Sequence, residues 1–131
     1  METEPVAPRK RHVLIVDDDV ELAQFFSELL RLHGYDTSVE SDATLALKHA
    51  LLQQTDAVIC DLQMPALDGD LFYATIERTN PQLARRFIFV TGLADEERFR
   101  KFISTVDAPV LRKPVPMETL VTEVHRITGR Q

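Results

Sequence analysis

The sequence predicts a three-layer α/β protein, a (βα)5 doubly wound parallel sheet with helices on both faces. Three observations lead there. Five short strand-like runs alternate strictly with stretches of helical periodicity. Most of those runs are continuously apolar rather than alternating, as strands covered on both faces must be. Four also end on chemical groups: Val13-Leu14-Ile15-Val16 on Asp17 and Asp18, Ala57-Val58-Ile59-Cys60 on Asp61, Phe87-Ile88-Phe89-Val90 on Thr91, and Val110-Leu111-Arg112 on Lys113. Open parallel sheets bind ligands outside the carboxyl ends of their strands, so these endings point to one site.

Taken in order, Met1 to Pro8 is polar and aperiodic and reads as a loose arm that ends at the basic triad Arg9-Lys10-Arg11. After the first strand, Leu22, Phe25, Phe26, Leu29, Leu30 and Leu32 recur at helical spacing, and Gly34 supplies the stop. Tyr35 to Glu40 is a short strand. Ala43 to Gln54 is a helix entered through Ser41-Asp42, with Leu45, Leu47, Ala50 and Leu51 as apolar bulk. The third strand runs to Asp61, and Met64-Pro65-Ala66-Leu67-Asp68-Gly69 is a loop by its Pro and Asp-Gly signals. Leu71, Phe72, Thr75 and Ile76 open a third helix, which Asn80-Pro81 interrupts. The fourth strand is followed by a helix over Asp95 to Val106, with Phe99, Phe102 and Ile103 on one face that reads as core. The fifth strand leads to a last helix from Pro116, a residue suited to a first helical turn, carrying Leu120, Val121, Val124 and Ile127.

A chain of 131 residues, 44% of them hydrophobic, suffices for one domain with a buried core. A net charge of -6 excludes a general nucleic-acid binder, which needs a clustered basic surface. One cysteine, Cys60, permits no internal disulfide and fits a reducing compartment, so a cytoplasmic location is expected. The apolar stretch after the basic triad is too short for a signal peptide, and no run approaches transmembrane length.

In the strand order 2-1-3-4-5, strands one and three lie side by side and Asp17, Asp18 and Asp61 converge where the winding reverses. Carboxylates so close raise one another's pKa, and a divalent cation is the natural remedy. Magnesium suits such oxygens best, with manganese able to substitute, and it pairs with phosphate oxygens. A phosphate-bearing visitor is therefore expected.

These residues resemble the receiver domain of two-component response regulators, the CheY-like (flavodoxin-like) fold. The resemblance covers roughly Arg11 to Thr128 and rests on landmarks in order: Asp17-Asp18, Asp61 followed by Met64-Pro65 and Asp68-Gly69, Thr91-Gly92, and Lys113-Pro114. It implies a flexible arm over residues 1–11, a receiver domain over 12–128, a tail over 129–131 and no output domain. It also implies that Asp61 accepts a phosphoryl group from a phosphohistidine of a histidine kinase or phosphotransfer protein. Asp18, Asp61 and the backbone carbonyl of Gln63 would bind magnesium, with Asp17 an outer partner through water. Thr91 and Lys113 would bind the phosphoryl oxygens, and a cis bond before Pro114 would aim Lys113 into the site.

Such a protein catalyses only its own phosphorylation and dephosphorylation, and signals by docking to a protein target or by phosphorelay, as a monomer or weak homodimer. Many receivers carry an aromatic residue three positions before the lysine; here Val110 stands there, so coupling is expected to run through loop movement without a ring swing. Gln63 and Leu93 flank the path of an attacking water and are expected to set the lifetime of the phosphoryl group. Two rival classes fit the residues less well. A haloacid-dehalogenase-like phosphohydrolase needs a second acid two residues after the first, where Gln63 sits; a pseudo-receiver scaffold usually lacks an acid or the lysine, and this chain has both. Asp19 reads as a helix cap, Cys60 as a core residue, and His12, His33, His49 and His125 lack metal-ligand spacing.

Overall fold

The period-2 geometry of a strand sends successive side chains to opposite faces, and here both faces are apolar because both are covered. The computed structural model describes residues 9–65, 67–92 and 95–130. Its elements are β1 (His12–Val16), α1 (Val20–Leu32), β2 (Asp36–Glu40), α2 (Ala43–Leu52), β3 (Ala57–Cys60), α3 (Gly69–Thr79), α4 (Pro81–Ala84), β4 (Phe87–Thr91), α5 (Glu97–Thr105), β5 (Val110–Arg112) and α6 (Met117–Ile127). The sheet is parallel throughout in the order β2-β1-β3-β4-β5, as expected.

Leu14, Val16, Val58, Cys60, Phe87 and Phe89 face one way, into a core completed by α2, α3, α4 and α5. Val13, Ile15, Ala57, Ile59, Ile88 and Val90 face the other way, against α1 and α6. Cys60 is fully buried in the first of these cores, and Phe99 is buried there with Phe102 and Ile103 packed beside it.

The helices differ from expectation in detail. Asn80 does interrupt the third helix, but it also starts another: its side chain accepts a hydrogen bond from the Leu83 amide at 3.2 Å and caps the one-turn helix α4, with Pro81 in its first turn. Pro116 is the cap of α6 and lies outside its first turn. On α1 the sheet-facing residues are Ala23, Phe26, Ser27 and Leu30, whereas Phe25 and Leu32 are exposed. The alanines of α2 likewise make the core contact, leaving Leu45 and Leu51 exposed.

Of the arm expected over residues 1–11, Arg9 reaches back to the foot of β3, where its guanidinium donates two hydrogen bonds to Asp56, at 2.9 and 3.0 Å. The Asp56 carboxylate also accepts the His12 amide at 2.7 Å. Burial alone would raise the Asp56 pKa, but Arg9 and the His12 amide outweigh it and hold the carboxyl below its usual range. A depressed folded pKa means that this group stabilises the fold above the unfolded carboxylate pKa, and that the contribution disappears as pH falls through the folded value. Asp56→Ala is therefore expected to cost about 1–3 kcal/mol at neutral pH, chiefly by orphaning the His12 amide. Urea titrations should show the share of that deficit carried by the Arg9 ion pair disappearing in acid; a deficit wholly independent of pH would refute the ion-pair contribution.

No helix among the described residues is long and apolar enough to cross a membrane.

Candidate functional site

The carboxyl ends of β1, β3, β4 and β5 meet at one edge of the sheet, and their adjacency positions the residues that leave each strand. The Asp17 amide donates to the Glu40 carbonyl at 3.1 Å and the Asp61 amide to the Val16 carbonyl at 3.0 Å, so both acids are held by an extension of the strand ladder. On the other side, the Lys113 amide donates to the Thr91 carbonyl at 3.0 Å. Four of the sequence-predicted residues, Asp17, Asp61, Thr91 and Lys113, are thereby placed by backbone hydrogen bonds before any side chain is considered.

The Lys113 ammonium lies 3.0 Å from the Asp17 carboxylate and 2.9 Å from that of Asp61. Asp17 and Asp61 are buried, Asp18 is exposed, and carboxylate oxygens of all three fall within 4.8 Å of one another. Gln63 borders the same cleft, and its amide donates to Asp61 Oδ1 at 3.3 Å. Thr91 is fully buried at the end of β4. Leu93 lies outside the described residues. The cleft has a volume of about 580 Å3 and is lined by Asp18, Asp61, Gln63, Met64, Pro65, Gly92 and Lys113. The Lys113–Pro114 peptide is cis.

Electrostatics follow from this packing. Burial pushes the Asp17 pKa up, with help from Asp61, and hydrogen bonds from the Asp19 amide and Lys113 only partly offset it. Burial pulls the Lys113 pKa down, but its hydrogen bonds to Asp61 and Asp17 outweigh that and leave it raised. One ammonium thus contacts two of three clustered carboxylates, an arrangement with surplus negative charge and hard oxygen donors. Such a cluster is able to bind a metal cation, and its donor set suits magnesium.

Several contributors carry no clear mark in the sequence, or one without its reason. Gly69 stands there with Asp68 as a turn and a landmark, without its steric reason; in the fold it opens α3 directly against the segment carrying Asp61, and a Cβ there would come within 2.3 Å of the Asp61 carbonyl oxygen. Arg112 donates to both carboxylate oxygens of Asp95, at 2.9 and 3.0 Å, and so ties the segment before α5 to β5 beside Lys113. Arg98 of α5 approaches Asp68, the cap of α3, at 3.5 Å. Asp19, by contrast, is the helix cap that the sequence indicates: it caps α1, accepting from the Leu22 amide at 3.1 Å.

Three of the histidines pack: His12 stacks on His49 with ring centres 5.6 Å apart, and Tyr35 and His125 share a hydrogen bond of 2.6 Å, whereas His33 is exposed. Val110 packs partly buried against the first core.

Comparison with known proteins places this geometry. Residues 13–125 match the response regulator receiver domain family. The chain is 28% identical over 114 residues to the transcriptional regulatory protein ZraR of Escherichia coli, a stretch covering 87% of this chain and 25% of that protein. The chain spans about a quarter or less of the length of the curated relatives it matches, 28%, 25% and 13% for three of them. Among solved structures, the receiver domain of the Francisella response regulator 1452 superposes with a TM-score of 0.81 at 26% identity, covering 92% of this chain and 98% of that one. The receiver domain of a sensor histidine kinase from Pseudomonas aeruginosa, described with a magnesium ion coordinated in its active-site cleft, gives 0.80 at 25% identity, covering 92% and 99%. With the acids that follow β1 and β3 clustered beside the lysine that follows β5, and Thr91 buried at the end of β4, the chain belongs to the response regulator receiver domain family.

Proposed function

We propose that this receiver domain takes a phosphoryl group from a phosphohistidine onto Asp61. The observation that carries the reading is the Asp61 carboxylate, which sits in an open cleft 2.9 Å from the Lys113 ammonium and beside two further acids. An Asp61 oxygen attacks phosphorus, the P–N bond to the donor imidazole breaks, and the imidazole leaves with the electron pair and takes up a proton. Asp18, Asp61 and the Gln63 carbonyl would hold a divalent cation, with Asp17 as an outer partner, and when bound it would supply positive charge to the phosphoryl oxygens; magnesium fits, and manganese could substitute.

This chain's own residues do the rest. Lys113, already between Asp17 and Asp61, transfers a hydrogen bond to a phosphoryl oxygen and stabilises the charge there. The Thr91 hydroxyl donates to another oxygen, and movement of Thr91 pulls the segment that Asp95 fastens to Arg112. Signalling then consists of phosphorylation-dependent docking or phosphorelay. The donor is a sensor histidine kinase or histidine phosphotransfer protein in the cytoplasm, and the reaction is performed on the protein itself, without turnover of a separate substrate. The magnesium ion described for the Pseudomonas aeruginosa receiver domain supports the metal assignment.

Intact mass after incubation with acetyl phosphate and magnesium tests this. One phosphoryl adduct is expected, absent in Asp61→Asn and in metal-free samples. An adduct that persists in Asp61→Asn would move the acceptor to another residue. No adduct from acetyl phosphate or a kinase donor would reduce the site to a scaffold.

A further inference from the structure

The groove between α3 and α5 combines an apolar floor with an acidic rim. Leu71, Tyr73, Phe102 and Val106 form the floor, and Asp70, Glu77 and Asp107 the rim, around a volume of about 440 Å3. Leu71 is 57% exposed, too open to be a core residue. Tyr73 is held edge-on to Phe87, Phe89 and Phe102, with ring centres 5.1, 5.6 and 5.8 Å away, so the floor is preformed. No ion pair among the described residues engages any of the three rim carboxylates, and no lysine or arginine lines the groove. Among the described residues Asp70 accepts only from the neighbouring Leu71 amide, at 2.9 Å, and Glu77 takes a long contact of 3.5 Å from the Tyr73 hydroxyl.

We propose that this groove docks a basic amphipathic helix of a partner protein. A helix in a groove seats apolar side chains at i, i+3, i+4 and i+7, which suits the floor. Lysine or arginine on its flanks complements the three carboxylates, whereas nucleic acid and anionic lipid are repelled by them. The site is also well placed: Phe102 packs on Phe89 of β4 at 5.2 Å, two residues before Thr91, so one wall of the groove rests on a strand that ends in the functional site. The docking proposal does not depend on Asp61 being the phosphoacceptor.

The probe is a fluorescein-labelled synthetic helix of leucine and lysine with that spacing, followed by anisotropy and by backbone amide shifts of the unmodified protein. Saturable binding is expected, with the largest shifts on α3 and α5. Leu71→Ala should weaken it about fivefold and Asp70→Lys with Asp107→Lys about tenfold. Glu28→Lys, a charge reversal on the exposed face of α1, should leave the affinity unchanged. Equal weakening by Glu28→Lys, or shifts spread over other faces, would show that only the net acidity of the chain attracts the peptide and would overturn the proposal. So would retention of binding by both groove variants.

Discussion

Gly69→Ala is expected to destabilise the protein by about 3 kcal/mol and to weaken metal binding at the cleft with it. The reason is a backbone approach. A Cβ on Gly69 would sit 2.3 Å from the Asp61 carbonyl oxygen and 3.0 Å from the Leu62 Cα, neither of which can rotate aside as a side-chain tip would. The Gly69 amide donates to the Leu62 carbonyl at 2.8 Å, so the first turn of α3 is fastened to the same segment it would collide with. Relief requires either α3 to withdraw, opening the core around Phe72 and Ile76, or the Asp61–Leu62 backbone to shift, taking the carboxylate with it. Urea unfolding followed by circular dichroism measures the first cost and magnesium titration the second. Gly92→Ala is the control, since a Cβ there meets nothing within 4 Å. If Gly69→Ala were as stable as Gly92→Ala, the close approach would not exist in solution.

How far the sequence foretold this molecule depends on whether a feature is local. Strand order and the gathering of Asp17, Asp18, Asp61, Thr91 and Lys113 were legible because short apolar runs ending in polar groups are a local signal, and winding rules supply the rest. Helix faces were less legible. The apolar stripe of α1 is wider than the face it buries, so Phe25 and Leu32 are exposed while the small residues Ala23 and Ser27 touch the sheet. On α2 the alanines permit close packing and the leucines are left outside, a choice that hydrophobicity alone does not reveal. Contacts between distant residues were not legible at all. Arg9 with Asp56 spans 47 positions and Arg112 with Asp95 spans 17, and neither pair has a spacing signature. Gly69 was marked in the sequence with Asp68, but its steric reason was not, because that reason is the carbonyl of Asp61, which only the folded loop brings near.

Lys113→Met is expected to convert the charge surplus at the site into a pH-dependent loss of stability. In the native protein the ammonium stands between Asp17 and Asp61 at 3.0 and 2.9 Å, and both acids are buried. Its raised pKa means that its contribution is fully present below the unfolded lysine value of roughly 10.4 and is lost only as pH rises through the folded value, so it is charged throughout the neutral range.

Removing it leaves two carboxylates facing each other. Breaking a fully buried ion pair costs about 3–5 kcal/mol; the partial exposure of Lys113 argues for about 2 kcal/mol near pH 8. The acid already raised by burial, Asp17, then rises further. An acid whose folded pKa is raised penalises the fold above that value and ceases to do so as pH falls through it, because the folded state then holds the proton more tightly than the unfolded chain. The deficit of Lys113→Met should therefore be largest near pH 8 and shrink in acid, as pH falls through the raised Asp17 value. Magnesium should also raise the melting temperature of the variant more than that of the native protein, since the cation replaces the missing positive charge and binds only the folded site. Thermal melts near pH 8 and in acid, with and without magnesium, check both halves. A deficit constant in pH and indifferent to magnesium would mean that Lys113 contributes only the packing of its alkyl chain, and that the carboxylates do not interact strongly enough to be relieved by either cation.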